Sequence, residues 1–123
     1  MRVLTLLKMA EDVGEPPAEM FAAMDTVIKE IDAGLTLIDT NGLLPSRHGV
    51  RIRGDHGRMT VLDGPFTEAK ELVGGYALVE VETFEQAVEA SRKIVQVHTD
   101  HWPTWVGEAE VRQVMGAEDM PGA

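Results

Sequence analysis

Apolar residues recur along the chain in two periods, one typical of strands and one typical of helices. Residues 2–9 are apolar at almost every position, which predicts a strand covered on both faces. After a polar loop, one apolar stripe at helical spacing predicts a helix that begins after Pro16-Pro17 and stops at Gly34. The stripe consists of Met20, Phe21, Met24, Val27, Ile28 and Ile31. The chain therefore opens with a strand and a long amphipathic helix.

Short strands separated by turn residues are predicted for the middle of the chain. They span residues 35–39, 50–53, 58–62 and 76–81. Residues 40–42 predict a bend, and residues 54–57 predict the four-residue turn of a hairpin. This hairpin joins the strands at residues 50–53 and 58–62, and its arginines can form either a solvated surface or an anion site.

A second long helix is predicted near the C-terminus. Thr83 and Gln86 have the spacing of a capping box, so the helix should begin at Thr83, and its apolar positions continue to Val97. We expect an irregular segment at residues 98–105, a last strand at 108–115 and a flexible tail at 116–123. Two helices and about five strands predict an α+β sandwich, with residues 1–115 as a single domain.

Two helices can cover only one face of such a sheet. The strands at residues 2–9 and 76–81 nevertheless carry apolar side chains on both faces. Exposed apolar faces of this kind are unusual, and a second copy of the chain is the simplest cover. The pattern therefore predicts a homodimer in which the two sheets pack face to face.

Composition excludes several classes of function. The chain of 123 residues has no cysteine, so it has no disulfide, no thiolate nucleophile and no Cys-ligated zinc. Its net charge of −10 argues against a nucleic-acid partner. No apolar run approaches the ~20 residues of a membrane span. The first residues read directly as a strand, so we expect a cytoplasmic protein with no membrane partner.

The stretch at residues 63–76 combines several turn signals between two strands. Gly64-Pro65 ends the preceding strand, because proline has no N–H for a ladder and restricts the residue before it. Thr67 can cap a short helical turn through residue 71, which Gly74-Gly75 would stop before Tyr76 opens a new strand. Such a corner is either plain architecture or the rim of a site.

Asp63-Gly64-Pro65-Phe66 and the five residues that follow, Thr67 to Glu71, resemble the YCII-related family in its DGPF-motif branch. The resemblance extends over most of the chain and implies a ferredoxin-like fold of the dimeric α/β barrel type. The biochemical role of similar proteins is mostly unassigned. Such relatives are often encoded beside alternative sigma factors, which implies a regulatory module as one alternative.

Shorter relatives carry a histidine–aspartate pair whose histidine lies in the first helix, but residues 20–32 of this chain contain no histidine. Either His98 or His101 replaces it, or the chemistry is absent. Asp63 is the candidate acid–base group, although an aspartate at a turn can simply accept backbone N–H bonds. Two histidines three residues apart lack an evident third ligand, so we predict no metal and no cofactor.

The remaining candidates describe a small-molecule pocket. Phe66, which we expect to be buried, would form its apolar wall with Tyr76 and Trp102. Lys70 and Arg51 would hold an anionic group, although both can equally belong to solvated surfaces. Two functions remain open. The protein is an acid–base enzyme acting on a small molecule, or it is a non-catalytic module that binds a ligand or another protein.

Overall fold

The structure, a computed structural model, describes residues 1–68 and 72–122. Two long helices and six strands form within these residues. In chain order they are β1 (Arg2–Met9), α1 (Ala18–Gly34), β2 (Thr36–Gly42), β3 (Val50–Asp55), β4 (Arg58–Asp63), β5 (Val73–Glu80), α2 (Phe84–His101) and β6 (Gly107–Gln113). Short 3-10 turns occur at Ser46–His48 and, in the segment predicted as a tail, at Ala117–Asp119.

Four strands form an antiparallel sheet in the order β2-β5-β1-β6, and β3 and β4 form a separate two-stranded sheet. Helices α1 and α2 contact each other and pack on one face of the larger sheet. This arrangement confirms the predicted α+β class and is consistent with a ferredoxin-like fold. We call β3, β4 and their turn, residues 50–63, the arm.

The helix-covered face holds the core. Val3 and Val79 are paired across β1 and β5, and they are 0% and 3% exposed. On the same face, the hydroxyl groups of Thr5 and Ser91 are 2.7 Å apart. Ser91 donates its proton to the Ala87 carbonyl oxygen, so Thr5 is the donor between the two hydroxyls. This buried pair ties the sheet to α2.

Helix α2 is longer than its apolar pattern predicted. Gln86 Oε1 accepts the Thr83 N–H at 3.1 Å, so the predicted start of the helix is confirmed. The predicted irregular segment at residues 98–105 is wrong at its beginning, because the helix continues to His101. His98 lies four residues after Ile94 on the buried side of the helix, where both side chains are nearly inaccessible. Because His98 is a polar residue on the buried side of the helix, the apolar pattern did not predict this last turn.

The turn that joins the two strands of the arm is tighter than predicted. The connection is a two-residue turn, His56-Gly57, and both residues have positive φ, 49° and 83°. Gly54 and Asp55 stay in the ladder, paired with Met59 and Arg58. The predicted four-residue turn is therefore wrong. Two-residue turns with positive φ match the twist of the paired strands, which favours the longer ladder.

Strand β2 ends later than predicted, at Gly42, and strand β5 begins earlier than predicted, at Val73. Gly42 pairs with Gly75, so the predicted bend at residues 40–42 is wrong and Gly74-Gly75 lies inside a strand. A Cβ on Gly74 would approach the Met9 side chain to 2.5 Å. These glycines make room for a neighbouring strand, a role that their sequence position alone does not distinguish from a stop signal.

Helix α1 follows its predicted stripe with one exception. Pro17 precedes the first helical residue, and Gly34 is the last one rather than the residue beyond the end. Met20 and Ile31 are buried, but Phe21 is 66% exposed. The prediction that Phe21 packs with the rest of the apolar stripe is therefore wrong. The predicted helical turn that follows Thr67 falls largely outside the described residues.

Candidate functional site

The Gly64-Pro65 corner closes the base of the arm. A Cβ placed on Gly64 would lie 1.7 Å from the Ser46 carbonyl oxygen, far inside van der Waals contact. The Gly64 N–H also donates to the Gly49 carbonyl oxygen at 3.0 Å, and the Gly64–Pro65 peptide bond is cis. Only glycine fits at this position, so the corner is held directly against the 3-10 turn at Ser46–His48.

Ser46 links the corner to the loop that follows β1. Its backbone N–H donates to Glu11 Oε2 at 2.7 Å, and its hydroxyl donates to Glu11 Oε1 at 2.5 Å. The same hydroxyl oxygen accepts the Phe66 N–H at 2.9 Å. One carboxylate therefore positions both the serine and, through it, the aromatic residue of the corner. No sequence motif connects positions 11, 46 and 66, so reasoning from sequence missed this hydrogen-bonded chain.

Phe66 is half-buried rather than buried as predicted. Its ring lies against Arg51, whose guanidinium carbon is 4.0 Å from the ring centroid. Stacking of this kind contributes about 0.5–1 kcal/mol at exposed sites. Two of the predicted ligand-binding residues, Arg51 and Phe66, thus come together at the base of the arm.

A cleft of about 430 Å³ opens beside this pair. Its lining is mostly apolar and comes from the loop after β2, the corner and the start of β5. The residues are Glu11, Leu43, Leu44, Pro45, Ser46, His48, Gly49, Arg51, Phe66, Leu72 and Val73. An apolar wall with a few polar groups is the usual composition of a small-molecule site.

A second cleft of about 370 Å³ lies over the two helices. Ile31, Leu35 and Ala90 contribute apolar atoms, and charged side chains, among them Glu30 and Lys93, surround them. Among the residues that the structure describes, none of those lining this cleft is aromatic. It is a groove between packed helices, and it offers less for recognition than the cleft at the corner.

Asp63, the predicted acid–base residue, is the last residue of β4. It is exposed and pairs with Val50 in the ladder of the arm. His101 is half-buried in the final turn of α2. Among the described contacts, none joins Asp63 to His98 or to His101. The structure therefore does not bring the predicted acid–base partners together within one chain.

His98 belongs to the core instead. It is 5% exposed, and its ring centroid lies 4.9 Å from that of Trp105 and 6.5 Å from that of Trp102. The ring Nδ1 is 2.8 Å from the Ile94 carbonyl oxygen, which can only accept, so the neutral ring carries its proton on Nδ1. Burial lowers the pKa of His98 and favours this neutral form.

Both tryptophans of this cluster are buried, each 8% exposed. Their indole nitrogens have no hydrogen-bond partner within the described residues. Trp102, predicted as a pocket wall, therefore packs in the core beside His98 and not beside Phe66. It supports the end of α2 against the sheet.

Tyr76 lies on the open face of the sheet, opposite the helices. Its hydroxyl donates to Asp39 Oδ2 at 2.6 Å, and the Asn41 amide donates to Asp39 Oδ1 at 3.1 Å and to the Tyr76 oxygen at 3.2 Å. Sequence reasoning treated Tyr76 as apolar and missed this triad. The one available signal is that Asp39 and Asn41 are two residues apart and so share a strand face.

The other side of the open face carries an ion pair. Lys8 Nζ lies 2.7 Å from Glu110 Oε1. The hydrogen bond between them raises the pKa of Lys8 and lowers that of Glu110, so both groups are held in their charged forms. Leu6 lies between Tyr76 and Glu110 on this face, and Leu4 and Leu78 lie in the neighbouring row. All three leucines are half-buried.

Two further features concern possible partners. Among residues 1–68 and 72–122, no group of three His, Cys, Asp or Glu side chains could hold a metal ion. None of the helices in the same part of the chain is long and apolar enough to cross a membrane. Lys70, predicted to hold an anionic group, lies outside the described residues.

The order of elements and the antiparallel sheet define an α+β protein that is consistent with a ferredoxin-like fold. The model of the YCII-related domain matches residues 1–115. The chain therefore belongs to the YCII-related family, and the family predicted from the sequence is confirmed. No curated protein matches the chain.

Proposed function

We propose that this protein, as a DGPF-type member of its family, binds a small organic molecule in the cleft beside Phe66. The observation that carries the proposal is the construction of the corner. Gly64 is packed against Ser46, Ser46 is held by Glu11, and Phe66 is held by Ser46. A rigid cleft loses little conformational freedom when it binds a ligand.

The lining of the cleft indicates the class of ligand. Leucine, proline, valine and phenylalanine side chains form most of its wall and suit an apolar or aromatic body. Polar groups are few, and they come mainly from Glu11, Ser46 and His48. A molecule with an apolar body and one hydrogen-bonding end fits this distribution. Arg51 contributes its stem and guanidinium beside Phe66, and Lys70 remains a predicted contact for an anionic group.

Binding without catalysis is the function that the geometry supports best. Asp63 lies on the arm, whereas His98 is enclosed in the core between two tryptophans. The acid–base enzyme is the second candidate, with Asp63 as the base and His101 or His98 as its partner. It requires a rearrangement that joins these residues, and Asp63→Asn should then abolish turnover without affecting stability.

We further propose that the protein acts as a cytoplasmic homodimer. The open sheet face carries the half-buried Leu4, Leu6 and Leu78, which no helix within residues 1–68 and 72–122 covers. A second copy would remove this apolar surface from water. The regulatory alternative, including a link to an alternative sigma factor, rests on the family resemblance. Co-purification of this protein with such a factor is its test.

Ligand binding can be tested by nuclear magnetic resonance with a set of small aromatic and aliphatic acids, amides and alcohols. We expect a subset to shift the backbone amide signals of Ser46, Gly64 and Phe66. Phe66→Leu should weaken that binding at least tenfold, about 1.4 kcal/mol. Phe21→Leu, on the outer side of α1, is the matched control and should leave it unchanged. Shifts confined to residues near Trp102, or no shifts at all, would contradict the proposed site.

A further inference from the structure

The outer edge of β3 is an unpaired edge of a small sheet. Within residues 1–68 and 72–122, β3 pairs with β4 and with no other strand, and the ladder runs from Val50 to Asp55 without a register shift. Proteins often protect a sheet edge with a bulge or a proline, and residues 50–55 contain neither. The edge of β3 is therefore regular enough to accept a further strand.

Alternate residues of β3 direct their backbone groups to this edge. In the two-residue turn, Asp55 and Arg58 close the ladder, so they form a hydrogen-bonded pair. Hydrogen-bonded and non-hydrogen-bonded pairs alternate along an antiparallel ladder, and the bond from the Gly64 N–H to the Gly49 carbonyl oxygen continues this alternation at the base. The residues whose N–H and C=O groups point outward are therefore Val50, Ile52 and Gly54. None of these groups bonds the backbone of another element in the described part of the chain.

An added strand would lie beside two different sets of side chains. One face of the arm is apolar and 55–74% exposed, and it consists of Val50, Ile52, Met59 and Val61. On the other face, Arg53 is exposed and has no ion pair with residues 1–68 or 72–122. A strand paired with β3 alternates between the same two faces, so apolar residues suit Ile52 and an acidic residue suits Arg53. One acidic residue is enough, because the net charge of −10 repels a strongly acidic partner.

This edge leads to the cleft beside Phe66. Gly49 and Arg51, at the start of β3, line the cleft, whereas none of the described residues of β4 does so. Arg51 and Arg53 share a strand face, and side chains two residues apart on one face are about 7 Å apart. An added strand with its acidic residue at Arg53 therefore places its next side chain on that face beside Arg51, at the entrance to the cleft.

We propose that the arm binds an extended segment of another protein as a third strand on the outer edge of β3. The segment alternates apolar residues with one acidic residue at Arg53, and an apolar side chain two residues away enters the cleft beside Phe66. Main-chain hydrogen bonds supply affinity in this mode of recognition, and the pocket supplies specificity. The inference rests on the proposed function, because it identifies the ligand of the cleft as a side chain of that segment.

Titration of the whole protein with two blocked hexapeptides tests the added strand by nuclear magnetic resonance. The peptides are Thr-Glu-Val-Phe-Val-Thr and its reverse, Thr-Val-Phe-Val-Glu-Thr, which present the same pattern in the two strand directions. At least one should shift the amide signals of Ile52 and Gly54 together with that of Phe66.

The outcomes separate this proposal from the proposed function. Small molecules that shift Ser46 and Phe66, with no response of Ile52 to either peptide, would overturn the added strand and leave the cleft intact. No response to small molecules or peptides would overturn both. Arm signals that move with protein concentration before any peptide is added would mean that a second copy occupies the edge, and this would also overturn the proposal.

Methylation of the peptide backbone tests the hydrogen bonds directly. In a paired strand, N–H groups point alternately to the neighbouring strand and away from it. N-methylation should therefore weaken binding at least tenfold at one of two adjacent residues, the first Val or the Phe, and less than about threefold at the other. Equal losses at the two positions would exclude strand pairing.

Two arginine variants identify the edge that is used. Arg53→Gln should weaken binding of the Glu-containing peptide about threefold, the usual size for an exposed ion pair. Arg58→Gln is the matched control, because Arg58 is exposed on the same face but belongs to β4, and it should leave the affinity unchanged. A loss in Arg58→Gln without a loss in Arg53→Gln would place the segment on β4 and overturn the proposed edge.

Discussion

Alternate positions are apolar both in the strands beneath the helices and in the arm. These residues are buried beneath the helices but exposed in the arm. In the core, alternate positions of β1 and β5 are almost inaccessible, with Val3 at 0% and Val79 at 3% exposure. In the arm, alternate positions of β3 and β4 are just as apolar, yet Ile52 is 68% and Val61 is 62% exposed. Alternation reports which side chains share a face, but it does not report what covers that face.

This difference changes how an exposed apolar residue should be interpreted. Scattered exposed side chains are normal on any protein surface and need no explanation. Met59 and Val61 instead belong to one strand face, opposite an arginine-rich face, on an element detached from the main sheet. Their exposure belongs to a whole strand face, whereas the exposure of Phe21 on α1 is isolated.

The same substitution in the two regions should have very different effects. Ile94→Ala, in the core, should lower the free energy of unfolding by about 2–5 kcal/mol, because it leaves a cavity among packed side chains. Ile52→Ala, in the arm, should change it by less than about 0.5 kcal/mol. Urea denaturation of protein dilute enough to be monomeric measures both values. Similar losses for the two variants would show that the arm is packed within its own chain.

Two glycine substitutions test how tightly the corner at the base of the arm is packed. Gly64→Ala should lower the free energy of unfolding by at least about 1–3 kcal/mol, because its Cβ would collide with the Ser46 carbonyl oxygen. Gly34→Ala, in α1, meets no atom within 4 Å and should stabilise the protein by about 0.5–1 kcal/mol. Thermal unfolding should therefore shift in opposite directions. A Gly64→Ala variant as stable as wild type would refute the tight corner.

Protonation of the buried His98 should make the stability of the protein depend on pH. Burial lowers the pKa of His98 in the folded state, so below about pH 6.5 the unfolded chain takes up the proton more readily. Stability should be complete above that pH, fall as the pH drops, and level off below the folded pKa. His98→Leu should remove this acid-dependent loss, whereas His56→Gln in the exposed arm turn should keep it. Denaturation midpoints between pH 4 and 8 distinguish these outcomes, and equal pH profiles for wild type and His98→Leu would exclude His98 as the cause.

Local signals in the sequence were sufficient to predict the family and most of the helices and strands. The strand at residues 2–9, the helix start after Pro17 and the helix start at Thr83 were all predicted from spacing and capping residues. These features depend on side chains a few positions apart, so neighbouring residues determine them. The hairpin was found for the same reason, although its turn type was wrong.

Long-range contacts decided the candidate site. Glu11, Ser46 and Phe66 are joined by hydrogen bonds across 35 and 20 positions of sequence. Such a chain leaves no periodic pattern, since each partner is one ordinary polar or aromatic residue. His98 shows the reverse case, because a residue that resembled a catalytic candidate is packed between two tryptophans.

The sequence by itself determined the α+β class, the family and the residues that share each strand and helix face. Capping, turn propensity and periodicity act over a few residues, so these signals can be recognised in a single sequence. Only the tertiary structure decided that Asp63 and His98 lie apart, that Phe66 meets Arg51, and that the apolar face of the arm is open. These outcomes depend on how distant segments pack, and many sequences with the same local pattern can satisfy that packing differently.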